Sequence, residues 1–300
     1  MRACFRPVFA SLAFSAAAAS MPAQAQQPAT LDKIKSSGSI TVAYRESSIP
    51  FSYLGGDAQP TGFGWEICQR IVAEAKKATG RNDLKVQTQS VTSQNRIPLL
   101  VNGTIDIECG STTNNSDRAK QVAFATNYFY TGTRFLVKSD SPVKALADLK
   151  GKKVVSTTGT TNYQVLRKLN SEQGLGFDLL AAKDHAESAL MVQSGRAEAF
   201  GMDDILLYGL KASAANPAEL AVVGDPIQVE PYAIMLRKDD AGFKKLVDDT
   251  LANMMKSGEF ETLYKKWFQS PIPPKGINLS APMSKELRDN MKALSDKPAM

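Results

Sequence analysis

The chain has 300 residues, and its 36 Lys and Arg against 30 Asp and Glu are spread along the length with no block of like charge, which argues against a nucleic-acid partner. Three cysteines and one histidine offer no zinc-ligand spacing, so neither a structural nor a catalytic zinc centre is expected. The length suits two domains of ordinary size.

The chain opens MRACFRPVFASLAFSAAAASMPAQAQ. Arg2 and Arg6 precede a short apolar run, Val8 to Ala19, and Ala23-Gln24-Ala25 meets the small-residue cleavage rule. Residues 1–25 are therefore expected to be a signal peptide, cleaved after Ala25, and the mature chain to be exported. The apolar run falls short of the roughly 20 residues that cross a bilayer, and no later segment reaches that length, so no membrane span is expected. Cys4 stands before the run and not at the cleavage point, which argues against a lipid anchor. Cys68 and Cys109 are then the remaining cysteines; in an oxidising compartment they read as a candidate disulfide, with two buried free thiols as the alternative.

From residue 39 onward strand-like and helix-like segments alternate, the mark of an α/β architecture. SITVAY (39–44) reads as a strand, followed by a Gly/Pro-rich loop. WEICQRIVAEAKKATG then has Ile67, Ile71 and Ala75 on one helical face and Gly80 as a stop. LKVQTQ (84–89) is a strand, SQNRIPLLVNG a short helix ending at Gly103, and TIDIE (104–108) a third strand. A second set begins with the strand TRFLVK (133–138) and the short helix SPVKALADLKG. KKVVSTT (152–158) is a strand running into the loop and helix GTTNYQVLRKLN. FDLLAAK (177–183) and EAFGMDD (198–204) are strands with the helix HAESALMVQSG between them. AELAVVG (218–224) and YAIMLRK (232–238) complete the strands, FKKLVDDTLANMMKSG and FETLYKKWF are helices, and the last twenty residues read as a charged, loosely periodic, frayed helix. Two such sets suggest two lobes.

In open parallel sheets ligands bind beyond the carboxyl ends of strands. There the chain places Arg45 after the first strand, Ser93 and Arg96 after the second, and Ser111, Thr113 and Arg118 after the third. Gly159-Thr160-Thr161 follows KKVVSTT at a helix start, where free N–H groups favour an anion. His185 follows FDLLAAK, and Asp203-Asp204 ends EAFGMDD. Arginine's planar fork suits carboxylates and a single acid suits an ammonium, so three arginines, hydroxyls and one acid point to a small zwitterion with a second carboxylate. Each residue also has a plain explanation: Arg45 and Arg96 as surface arginines, Arg118 on a solvated helix, His185 as a neighbour of a helix start, one aspartate as a cap.

The segments RESSIPFSY, TSQNRIPLLVNGT, ECGSTTNN, TTGTT, AKDH, MDD, LRKDD and WFQSPIPPK, in this order, resemble the periplasmic glutamate/aspartate-binding proteins of ABC importers, among the family 3 solute-binding proteins for polar amino acids. GFGWEICQRIV is similar to the family signature, but has Gly64 where an acid is common and Trp65 where an aliphatic is common. The resemblance implies the type II, Venus-flytrap fold of periplasmic binding proteins: two lobes, each a mixed sheet flanked by helices, joined by two crossover strands near Thr131–Val137 and Glu230–Leu236. Lobe 1 would hold 26–132 and 232–300, and lobe 2 133–231. It implies that Arg118, with Thr113 and the Thr161 loop, holds the α-carboxylate. Ser111 and Asp203, preferred over Asp204, would take the α-ammonium, while Arg45, Ser93, Arg96 and His185 surround the side-chain carboxylate. The implied ligand is L-glutamate or L-aspartate and the partner an inner-membrane ABC permease, with the chain a monomer that needs no cofactor. The alternatives are an enzyme of this fold, such as a cyclic-diacid dehydratase, or a ligand-binding sensor component. Against an enzyme stand the single histidine, the lack of a nucleophile elbow, and the absence of G-x-G-x-x-G or phosphate-loop lysine.

Overall fold

The computed structural model describes Met1 and residues 29–299, so the expected leader beyond Met1, with its cleavage point, lies outside the described residues. In chain order the elements of the first part are α1 (Thr30–Ser37), β1 (Ser39–Tyr44), β2 (Ser47–Ser48), β3 (Ser52–Leu54), β4 (Pro60–Thr61), α2 (Phe63–Thr79), β5 (Lys85–Ser90), α3 (Arg96–Val101) and β6 (Ile107–Glu108). Then follow β7 (Val122–Lys138), β8 (Lys153–Thr157), α4 (Thr161–Glu172), β9 (Asp178–Ala182), α5 (His185–Gln193), β10 (Ala199–Asp203), α6 (Asp204–Ser213) and β11 (Leu220–Val223). The chain closes with β12 (Val229–Arg237), α7 (Ala241–Ser257), α8 (Glu259–Phe268), β13 (Pro271–Ile272), β14 (Ile277–Asn278) and α9 (Lys285–Ala293).

The main sheet runs β5-β1-β6-β12-β7-β10-β8-β9, with β11 on the far half of β7. β1 is parallel to β5 and β6, and β8 is parallel to β9 and β10, while β7 and β12 run antiparallel to each other. β7 therefore belongs to both lobes. Its first half pairs with β12, from Arg237↔Val122 to Val229↔Gly132, and its second half with β10, from Asp203↔Thr133 to Phe200↔Leu136.

Burial masks two of the elements in the sequence. Only 133–138 was expected as strand, yet β7 starts at Val122. Its first half is buried nearly throughout, so it lacks the alternation that marks a half-exposed strand. α6 gave no clear period because three of its first four residues, Ile205 to Leu207, are a buried apolar block with Gly209 close behind. Gly209 is there for contact: a Cβ would lie 2.4 Å from the Ile49 carbonyl oxygen, on the loop across the cleft. The expected helix in SPVKALADLKG is only a 3-10 turn, Leu146–Leu149, and Arg118 opens another such turn and not a helix proper.

α2 is as expected: it buries Ile67, Cys68, Ile71, Val72 and Ala75, and ends on Gly80 in the left-handed conformation. Gly64, the departure in the signature, has a local reason, since a Cβ would meet the Cys109 carbonyl oxygen at 2.2 Å. Cys68 and Cys109 form the disulfide, with Cα atoms 5.8 Å apart, tying α2 to the end of β6. Beneath the cleft an aromatic cluster centres on Phe51, whose ring lies 4.9 Å from Phe129, 5.1 Å from Tyr232 and 5.6 Å from Phe268. It fastens the loop after β1 to both long strands and to α8, which fixes the floor of the site. Among the described residues no helix is long and apolar enough to cross a membrane.

Candidate functional site

The carboxyl ends of β1, β5, β6, β8, β9 and β10 converge on one cleft between the lobes. Ser93, Arg96, Ser111, Thr113, Arg118, Thr161, His185 and Asp203 line one common, tightly closed cavity there. Arg45 does not line it but stands directly behind, fully buried, with Nη2 3.2 Å from His185 Nε2. Thr160, Asn162, Met202 and Leu206 complete the wall. Asp203 faces the cavity, whereas Asp204 turns to the hinge and accepts from Thr131 Oγ1 at 2.7 Å.

Each arginine is held by acceptors, and those of Arg45 and Arg96 leave part of the fork open. Arg96 donates through Nη1 to Thr112 Oγ1 at 2.5 Å, and Thr112 passes a hydrogen bond to Glu108 Oε2 at 2.5 Å. Arg118 donates to the Thr113 carbonyl at 2.9 Å and, across the cleft, to the Gly159 carbonyl at 3.1 Å. Burial pushes Arg118 down to about 9 and Arg45 to about 10, with repulsion from Arg96 as the next cause in both. All three still carry their charge at neutral pH, in a space that an anion would relieve. Arg96 Nε, Ser93 Oγ and Arg45 Nε and Nη1 are buried without a hydrogen-bond partner within the protein. Orphaned buried donors of this kind are costly, and a bound anion is the economical explanation.

His185 is neutral and its tautomer is determined by its neighbours. Burial and the Arg45 charge lower it to about 3. A guanidinium can only donate, so Nε2 accepts from Arg45 and the proton sits on Nδ1, 2.9 Å from Thr157 Oγ1. Thr157 then reaches Ser188 Oγ at 2.9 Å, and Ser188 donates to the Asp184 carbonyl at 3.0 Å. This buried chain sets the ring plane and, through it, the aim of Arg45.

The acidic corner lies opposite. Asp203 accepts from Asn162 Nδ2 at 2.8 Å and from the Tyr232 hydroxyl. Burial, then the neighbouring Glu230 carboxylate, raise it to about 7. Glu230 Oε2 accepts from Thr113 Oγ1 at 2.9 Å and Thr161 Oγ1 at 2.6 Å, so one carboxylate on β12 joins a residue from each lobe. Because those hydroxyl hydrogens point at Glu230, the two oxygens turn lone pairs toward the cavity. Glu108, Asn162, Glu230 and Tyr232 were missed from the sequence. The first is itself the last residue of β6, and the last two sit within the crossing strand β12.

Among the described residues no cluster of three or more His, Cys, Asp or Glu is placed to hold a metal ion. Two lobes closed over a small polar cavity, three buried arginines and a facing carboxylate define a binding protein for small zwitterions. Comparison with known proteins places the chain in a family: residues 40–270 match the bacterial extracellular solute-binding proteins, family 3, to which it belongs. It is similar to the L-glutamate/L-aspartate-binding protein of Pseudomonas aeruginosa, 48% identical over 295 residues and 98% of both chains. It is also 48% identical over 296 residues to the glutamate/aspartate import solute-binding protein of Escherichia coli, covering 98% of this chain and 97% of that one. Among solved structures, an ancestral arginine-binding protein bound to arginine superposes with a TM-score of 0.69 at 28% identity, over 77% of this chain and 98% of the other. The ancestral amino acid-binding protein AncCDT-1, a precursor of cyclohexadienyl dehydratase, gives 0.68 at 29% identity, over 79% and 99%. The relatives at 48% identity are solute-binding proteins, which sets the chain with binders and not with enzymes.

Proposed function

We propose that the chain captures L-glutamate or L-aspartate between its lobes and delivers it unaltered to an inner-membrane ABC permease. In this reading it works as a periplasmic monomer after cleavage behind Ala25. The observation that carries it is the set of buried donors without partners, on Ser93, Arg96 and Arg45, beside the neutral His185. Ser93 and Arg96 would meet the side-chain carboxylate directly, with Arg45 adding its charge from behind His185, and burial together with the repulsion of Arg45 keeps the imidazole from adding a fourth charge. Arg118 would take the α-carboxylate with the N–H groups of the Thr113 and Thr161 backbones. Thr161 opens α4, where Thr160 Oγ1 caps Tyr163 N and the N–H groups ahead of it have no intrahelical acceptor. Asp203 and Ser111 would take the ammonium, joined by the lone pairs of the threonine hydroxyls that donate to Glu230.

The lobes of this reading are 26–132 with 232–300, and 133–231. The switch of β7 from β12 to β10 between Gly132 and Thr133 supports the first boundary, and the start of β12–β7 pairing at Val229 lies near the second. Since Arg118, Thr113 and Arg96 come from one lobe and Thr161, His185 and Asp203 from the other, only the closed state completes the site, and the ligand drives closure. Hydrogen bonds to charged groups contribute about 1.5–3 kcal/mol each. Six or so therefore cover the roughly 8 kcal/mol of micromolar binding after the cost of association. The test is to release the small molecules that co-purify with the protein and identify them by mass spectrometry. Glutamate or aspartate in stoichiometric amount is expected, and a basic or neutral amino acid alone would contradict the assignment.

A further inference from the structure

The chain beyond α9 is outside the family match, which ends at residue 270, yet it packs on the segment that follows Thr113 at the edge of the cleft. Residues 295–299 run beside the segment between Thr113 and Arg118, with an isolated parallel bridge pairing Asn115 and Ala299. Ala299 N donates to the Asn114 carbonyl at 2.9 Å, and Asn114 Nδ2 donates to the Asp296 carbonyl at 2.8 Å. Three buried asparagines knit the joint. Asn114 Nδ2 reaches Asn127 Oδ1 at 2.9 Å, Asn127 N and Nδ2 donate to the Ser295 and Lys297 carbonyls at 3.0 and 2.9 Å, and Asn290 Nδ2 donates to the Asn127 carbonyl at 2.7 Å. Lys244 holds Asp296 from outside at 2.8 Å.

The joint lies one residue from the site. Asn115 Oδ1 accepts from Arg118 N at 2.9 Å and its carbonyl from Ala119 N at 3.0 Å, so Asn115 starts the turn that aims the Arg118 guanidinium. A two-residue link with this many buried bonds leaves Arg118 little freedom, and without the tail the same link would face water. We infer that the C-terminal tail, through Asn114 and Asn115, is a positioning element for Arg118 and Thr113 and so sets the affinity for the amino-acid backbone of the ligand without selecting its side chain. The inference rests on the roles assigned to Arg118 and Thr113 under the proposed function.

The experiment compares the full chain with one ended after Leu294, and with full-length Asn114→Ala, which removes the side-chain half of the link without shortening anything. Calorimetry is run with glutamate and with aspartate, beside hydrogen exchange of the amides of 115–119. Both variants should bind both amino acids more weakly by the same factor, about tenfold, as befits loss of one or two buried hydrogen bonds. Exchange at 115–119 should quicken while that of β1 and β8 stays as in the full chain, which a general loss of stability would not produce. Unchanged affinity, a loss confined to one of the two amino acids, or unchanged exchange at 115–119 would overturn the inference. Should the shortened chain fail to fold, Asn114→Ala decides by the same readings. Should the full chain bind neither amino acid, the proposed function fails, and the exchange comparison still decides whether the tail orders the segment.

Discussion

Arg96 stands between the other two arginines and is the second cause, after burial, of the lowering of both. Its removal should ease that repulsion while emptying the side-chain end of the cavity. Arg96→Ala is expected to weaken glutamate and aspartate more than any neutral amino acid. Arg118→Ala should weaken all of them, by at least about thirtyfold, since truncating one partner of a buried charge pair costs about 2–5 kcal/mol. Calorimetry in which glutamate is unaffected by either change removes both roles. Asp203 adds a pH signature. With its carboxyl raised to about 7 in the empty protein, an arriving ammonium must draw it to the ionised form. Binding near neutrality should therefore release a proton, and affinity should fall as the pH drops below about 7. Titration in buffers of different ionisation enthalpy measures that proton directly. The same shift acts on folding with the opposite sign to an ordinary carboxylate. The folded state holds the proton that the unfolded chain gives up between the usual carboxylate range and about 7, so stability is lost as pH rises through that window. Asp203→Asn should melt higher than the parent at pH 8 in the absence of ligand, while binding glutamate poorly. His185, lowered to about 3, works the other way: its contribution is complete above the ordinary histidine range and drains away as the pH falls.

Among the elements, α2 and the end of β6 are joined by the Cys68–Cys109 disulfide across 41 residues of sequence. Loop closure over that span corresponds to about 4 kcal/mol of destabilisation of the unfolded chain. Cys68→Ala with Cys109→Ala should lower the melting temperature, and an unchanged melt would show that the aromatic cluster below already fixes these elements. α6 offers a separate handle on the cleft. Gly209 lies against Ile49 of the other lobe, so Gly209→Val should obstruct closure and weaken the ligand while leaving each lobe folded. The strand ends were readable in the sequence because each loop there departs abruptly from an apolar run into hydroxyls, amides or arginine. Eight of the nine residues singled out on that ground do meet in one cavity. What could not be read were groups whose neighbours come from distant chain. Glu230 acquires its place only when β12 lies beside β7, and the buried first half of β7 carries no period to announce itself. The C-terminal residues looked frayed because α9 is short and charged, yet Leu287 is buried and the tail finds its hydrogen bonds on Asn114 and Asn127.

Across the whole molecule, polar contacts between the lobes include Arg118 to Gly159, Arg45 to His185, Ser47 to Asp184, and Thr113 and Thr161 to Glu230, beside the close packing of Gly209 on Ile49. Such contacts are individually weak when water can replace them, so the empty protein should open readily and the ligand should supply the balance. Solution scattering is expected to show a smaller radius of gyration with glutamate than without. The most direct measurement is calorimetric titration of L-glutamate and L-aspartate into protein unfolded, stripped of small molecules and refolded. One molecule bound per chain is expected, at micromolar or tighter dissociation constant for at least one of the two, with no product formed. A properly refolded chain that gives no binding signal with either would contradict it.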